Sequence, residues 1–181
     1  MISKRIDRER NRAGRTLARL VRSDSGQGVA EFALVLPMIL IILLGMVEFS
    51  HAYDRVHGLA GLSREGANIA ARGTALSEVL TTVMANGETL EMTGRGGAIV
   101  SRIVVQSGQP TVMAQVATAG YESKSEIVDV DAAAEWISMA GFTEGSTHFA
   151  VEVFLTHEPI TPLGQLYRTV TPSVLYERAV F

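Results

Sequence analysis

Hydrophobic and polar positions follow three successive patterns along this chain. Ala33 to Val47 is an unbroken run of 15 residues without a charged or strongly polar side chain; carried back to Val29 it becomes 19 residues with Glu31 as the one charge. Nineteen helical residues rise about 28 Å, close to the hydrocarbon thickness of a bilayer. Leu34, Leu36, Ile39, Leu40, Ile41, Ile42, Leu43 and Leu44 surround such a helix on every side, whereas a soluble core helix keeps a polar stripe. The pattern predicts a membrane-spanning helix, against the alternative of a fully buried soluble one. Pro37 lacks an N–H, so the Ala33 carbonyl loses its helical partner and a kink or local opening is expected there.

After Glu48 the period becomes amphipathic. Val56, Leu59, Leu62, Ile69 and Ala70 recur at helical spacing, with Arg55, Arg64, Glu65 and Arg72 assigned to other faces. The small residues Gly58, Ala60, Gly61, Gly66, Ala67 and Ala71 favour close helix packing. One helix is therefore predicted from about Val29 to Arg72, ended or bent by Gly73. A short helix follows over Ala75–Ala85, with Leu76, Val79, Leu80 and Val83 inward and Asn86-Gly87 as its stop.

Beyond Gly87 the pattern turns to strands. Ala98–Gln106 and Thr111–Thr118 read as a hairpin joined by Ser107-Gly108-Gln109-Pro110. His148–His157 places Phe149, Val151, Val153 and Leu155 on one face, and Ser173–Phe181 reads as a last strand. Asp131–Met139 reads as a further helix, with Trp136 and Ile137 expected to pack down. The fold class is α+β: a long N-terminal helix followed by a small antiparallel β-rich domain. Its divisions are a basic leader at 1–26, the transmembrane helix and its amphipathic extension at 27–73, and an α+β domain at 74–181.

Charge gives this pattern a direction. Through Gly26 the chain carries eight Lys and Arg against three Asp and Glu, a net +5, so the remaining residues carry −8 of an overall −3. A basic head joined to an acidic body by an apolar bridge predicts a cytoplasmic N-terminus and an exported body. A conventional secretory signal is the competing explanation, since Ser50-His51-Ala52 has the small-x-small form of a cleavage site. The long basic region and Glu48 at the end of the apolar run argue against it. The basic head could also bind nucleic acid or anionic lipid; joined to a membrane span, it reads as leader and topology determinant instead.

No enzymatic constellation emerges. Cysteine is absent, which removes disulfides, thiolate metal sites and a cysteine nucleophile. His51 and His57 have the wrong spacing for a helical zinc pair, and no HExxH, GxSxG, Walker loop or dinucleotide fingerprint occurs. Thr93–Gly97 (TGRGG) reads as a loop, and His157-Glu158 before Pro159 reads as a surface turn. The reading is of a protein without catalytic, cofactor or metal residues.

Glu31 is the residue that asks for an explanation. A carboxylate in the apolar part of a spanning helix costs about 2.5–3.5 kcal/mol and is functional by default. Lys4 and Arg22 lie in the basic head. A cut after Gly26 would place a new α-amino group on Gln27, four residues before Glu31, as a neighbour within one helix or between two packed copies.

The residues GQGVAEF, in which Gly26 is followed by Gln27-Gly28-Val29-Ala30 and then Glu31-Phe32, resemble the prepilin-peptidase site of tight-adherence (Flp-type) pilus systems. The continuation VAEFALVLPMILIILLGMVEFSHAY, with Pro37 and Glu48-Phe49, and the segment REGANIAARGT at Arg64–Thr74 are similar to the TadE-like minor pilins. The resemblance implies a pilin-like fold and removal of the leader on the cytoplasmic side. It marks Gly26, Gln27, Glu31 and Phe32 as the processing site. The implied partners are the inner-membrane bilayer, a prepilin peptidase, other pilins or minor pilins and the pilus assembly platform, with neither nucleic acid nor a small-molecule substrate. The implied location is the bacterial inner membrane, with the body periplasmic and, after assembly, at the cell surface or in the pilus. Two departures stand: the leader is long, and Phe32 replaces the tyrosine typical of the major Flp subunit. Gly28 is an alternative cut, although Glu31 would then be only the third mature residue. An uncut single-pass anchor presenting a β-rich ligand- or envelope-binding domain is the other functional reading.

Overall fold

The computed structural model describes residues 24–127, 143–166 and 173–181. The expected helix at Asp131–Met139 and most of the basic leader lie outside them. The chain divides into two units between Val47 and Glu48.

Helix α1 runs Asp24–Ala71. It starts about five residues before the apolar periodicity does, because extending a nucleated helix adds one hydrogen bond for each residue fixed, even through Gly26 and Gly28. The helical assignment continues through Pro37. Among the described residues up to Val47 no residue is buried, and Leu34, Met38 and Met46 are among the most exposed. This is the one helix in the described residues long and apolar enough to cross a membrane.

From Glu48 onward the same helix has an inside. Leu59, Leu62, Ala67 and Ala70 are buried on one face. They meet Val79 and Val83 of α2 (Leu76–Asn86) in the main core. A short 3-10 turn, Gly87–Leu90, leads into the sheet. Its strands are β1 (Gly96–Gln106), β2 (Gln109–Ala117), β3 (Thr147–Thr156) and β4 (Val174–Val180). They form one antiparallel sheet in the order β2-β1-β3-β4, so the α+β architecture expected from the sequence is present. A five-residue helix α3, Pro162–Leu166, lies between β3 and β4 and was not expected.

Two boundaries differ from the sequence reading. The TGRGG segment is a loop only as far as Arg95; Gly96 and Gly97 begin β1, opposite Leu155 and Phe154 of β3. The β1–β2 connection is two residues, not four. Ser107 (φ 55°) and Gly108 (φ 72°) both take positive φ, the backbone of a tight hairpin turn matched to strand twist. Pro110 is in β2, opposite Val105. There its missing N–H costs nothing, because Val105 directs both backbone groups the other way, to Gly145 and Ser146.

Both faces of the central strands are covered. Ala98, Val100, Val151, Val153 and Leu155 face the helices. Ile103 and Ala150 pack beneath Ile127 on the opposite face, where Tyr121, Phe154 and Tyr176 form a chain of tilted rings. The alternation expected for Phe149, Val151, Val153 and Leu155 holds, but the intervening residues are buried too.

Gly66 sets how closely α1 packs on α2 and on the sheet. A Cβ there would lie 2.5 Å from Val83 Cγ2 and 3.3 Å from Val151 Cγ1. Gly66→Val should therefore lower unfolding free energy by about 1–3 kcal/mol. Gly61→Ala, with nothing within 4 Å of the added carbon, should raise it by about 0.5–1 kcal/mol through helix propensity. Denaturation of the full-length protein in micelles, followed by circular dichroism, measures both.

Candidate functional sites

The expected processing segment lies in the first turns of α1. The Gly26–Gln27 bond is within the helix, and Gln27 Nε2 donates to Glu31 Oε1 at 2.9 Å across one turn. Glu31 and Phe32 are exposed, and a Cβ on Gly28 would meet nothing within 4 Å. The helix therefore brings Gln27 and Glu31 together through the glutamine side chain, with Phe32 beside them and Pro37 more than a turn further on.

A second polar cluster begins where the apolar run stops. Glu48, His51 and Arg55 stand at i, i+3 and i+7, one face of α1. Thr161 and Pro162 explain what meets them. Thr161 is the N-cap of α3, with Pro162 in the first helical position, an arrangement favoured because proline has no N–H to leave unsatisfied. Thr161 Oγ1 accepts the Gly164 N–H at 3.0 Å and donates to Glu48 Oε2 at 2.8 Å. The Thr161 N–H also donates to Glu48 Oε2, at 3.0 Å, and the Ile160 N–H to Glu48 Oε1, at 3.2 Å. One carboxylate thus takes three donors from the loop after β3.

His157 Nε2 lies 3.7 Å from Glu48 Oε1, and its ring centroid is 6.0 Å from that of His51. The His157 side chain is 4% exposed. The surface turn expected at His157-Glu158 is thus corrected for the histidine, which is folded in by the Glu48 contacts; Glu158 stays exposed and pairs with Arg95 at 3.2 Å. Arg55, assigned by periodicity to an outer face, turns inward instead. It bonds the Leu90 carbonyl and pairs with Glu91 Oε1 at 3.3 Å, and Glu91 also pairs with Arg95 at 2.5 Å. His51 Nδ1 and Arg95 Nε are buried without a partner among the described residues. Among those residues no three His, Asp or Glu side chains converge as metal ligands.

The third polar feature lies on the outer sheet face. Glu152 in β3 is 0% exposed, yet its carboxylate is fully used. Ser125 Oγ donates to Oε2 at 2.5 Å, while the Glu126 N–H and Tyr176 hydroxyl donate to Oε1 at 2.8 and 2.9 Å. Burial, then the Glu152 charge and hydrogen bond, push the Tyr176 phenol far up and keep it protonated as a donor. This clasp holds the 121–127 segment over the sheet. Sequence reasoning missed it because a glutamate alternating with valines reads as the solvent side of a strand.

Comparison with known proteins places the N-terminal part of the chain. Residues 26–68 match the family model described as TadE-like protein, in agreement with the resemblance carried by GQGVAEF and the residues after it. The match covers most of α1 and ends before the sheet. No curated protein and no solved structure matches the chain.

Two outcomes follow from these polar groups. Burial depresses the His157 imidazole, with Glu48 pulling upward and His51, Arg55 and Arg95 adding to the depression; burial depresses His148 likewise. The unfolded chain therefore binds more protons than the folded one as pH falls below about 6.5, and stability should be full above that value and decline below it. Thermal melts of the full-length protein in micelles check this, and His157→Gln should flatten the decline. Glu152→Ala strands three donors and should cost about 2–5 kcal/mol in the same measurement, with Glu152→Gln costing less.

Proposed function

We propose, from the premise of a TadE-like N-terminal helix at residues 26–68, that this chain is a non-enzymatic minor pilin (pseudopilin) of a tight-adherence, Flp-type pilus assembly system. It is inserted once in the inner membrane with the basic head cytoplasmic and the sheet-bearing unit periplasmic, the orientation favoured by the +5 leader. A membrane prepilin peptidase cuts between Gly26 and Gln27, reading Glu31 and Phe32. The protein then acts with other pilins and the assembly platform to start or cap a filament.

The observation that carries this reading is Glu31. It is the one charge in a 19-residue apolar run exposed on all sides, and it stands five residues after Gly26 within the family match. A freed amino group on Gln27 gives that carboxylate a cationic neighbour one turn away. Proteolysis needs locally extended backbone, and glycines at 26 and 28 lower the cost of unwinding by about 1 kcal/mol each relative to alanine.

One contact favours a second reading. Gln27 Nε2 already donates to Glu31 Oε1 at 2.9 Å, so the carboxylate has a partner in the uncut chain, as a permanent single-pass anchor would require. The two readings separate by mass and N-terminal sequence of the membrane form in a pilus-competent cell. Processing predicts Gln27 as the first residue and a mass loss equal to residues 1–26, abolished by Gly26→Ala. Met1 retained in the wild type contradicts it and leaves the anchor.

A further inference from the structure

Glu48 is the first residue after the apolar run, so whatever its side chain holds is held at the end of that run. It holds Pro159–Pro162. In these four residues the two prolines have no N–H, and the N–H groups of Ile160 and Thr161 both end on the Glu48 carboxylate. The Thr161 hydroxyl is taken by Glu48 and Gly164. No backbone N–H is left over from residue 159 to residue 162, so the donor half of what a low-dielectric environment demands is met. The side chains presented outward are Ile160, 56% exposed, and Pro162.

The outer face of α1 at the same height is also apolar. Phe49 and Tyr53 are 72% and 53% exposed, with ring centroids 6.1 Å apart, and Tyr53 meets His57 edge-on at 4.2 Å. Counted from Val47, Phe49 and Tyr53 rise about 3 and 9 Å. A bilayer's headgroup layer is roughly 5–7 Å deep on each side, and rings with a polar tip, as Tyr53 has and Phe49 has not, concentrate there.

We propose that the Glu48-held loop at Ile160, together with Phe49 and Tyr53, is a second membrane contact: an interfacial surface that inserts at the headgroup–acyl boundary beside the span. Its occupant is lipid. Phe49 follows the apolar run by two residues in the sequence, and a loop without free N–H groups gives a protein partner no backbone donor to bond. Glu48 is its positioning residue, accepting the two N–H groups that water would otherwise have to satisfy. The proposal rests on α1 spanning a bilayer, as in the function proposed above.

The absence of cysteine allows single-site labelling of the full chain. Ile160→Cys, Leu40→Cys in the span and Ser77→Cys on exposed α2 are each labelled with NBD and reconstituted in phosphatidylcholine–phosphatidylglycerol vesicles. Quenching by a lipid spin-labelled near the headgroup end of its acyl chain is then read. The expected result is quenching at 160 several-fold above that at 77, reduced towards the level at 77 when Glu48→Ala is added, with the span label unaffected. The comparison of 160 with 77 in the chain that keeps Glu48 is decisive whether or not the Glu48→Ala protein folds. Quenching at 40 but not at 160 overturns the proposal and leaves the span intact. No quenching at 40 overturns the span and the proposal together. An NBD shift at 160 that grows with the protein-to-lipid ratio without lipid quenching assigns the surface to a second copy and overturns it too.

Discussion

A single helix here has to satisfy two solvents, and the change takes place at one peptide bond. Up to Val47 the helix turns apolar side chains in every direction; from Glu48 it has one buried face and one exposed face. Hydrocarbon rewards the first arrangement because each backbone N–H and C=O is satisfied within the helix. Water rewards the second, because only a stripe need be covered and the sheet covers it. A carboxylate at the join suits both. It cannot be drawn into the bilayer cheaply, and it arrives where the loop after β3 needs an acceptor.

That acceptor organises the lower end of the folded unit. Glu48 ties the start of α3 to α1, while Arg55, Glu91 and Arg95 tie the turn after α2 to the same helix face. Glu152 does the equivalent on the far side of the sheet, where its carboxylate holds Ser125, Glu126 and Tyr176. Both are charged groups enclosed by donors rather than paired with a single cation, the form in which a charge can be sheltered without a large desolvation loss. Glu144 repeats the device at the surface, its carboxylate taking the N–H groups of Ser107 and Gly108 at 2.7 Å and held below the usual carboxylate range by them. In a chain without disulfides, three carboxylates fasten three loops.

Periodicity made α1, α2 and most strand positions legible. The all-round apolar run, the stripe through Leu59, Leu62 and Ala70, and the Val79–Val83 pair each state a solvent preference that local sequence contains. The hairpin turn was misjudged in length because Pro110 is a turn residue by reputation, and only the bonds of Val105 to Gly145 and Ser146 show that its N–H is not needed. His157 and Arg55 were misread, and Glu152 was missed, for a shared reason. Each is polar at a position whose burial depends on a segment distant in the chain, and no window of neighbours carries that information. The Thr161-Pro162 capping pair was a readable signal for α3 that passed unused. At the proposed processing segment the types and spacing of Gly26, Gln27, Glu31 and Phe32 belong to the sequence itself, while the Gln27–Glu31 side-chain bond emerged only with the helix geometry.

The change of solvent at Val47–Glu48 is the claim on which the account rests. Single cysteines placed along α1 of the full chain in membranes, and treated with a water-soluble maleimide, test it most directly. The account predicts that positions from Ala33 to Val47 are unreactive on every face, and that beyond Tyr53 reactivity becomes periodic, high at Gly61, Arg64 and Asn68 and low at Leu59, Leu62 and Ala67. A helical period of reactivity within Ala33–Val47 would mean that face meets water, and would contradict it.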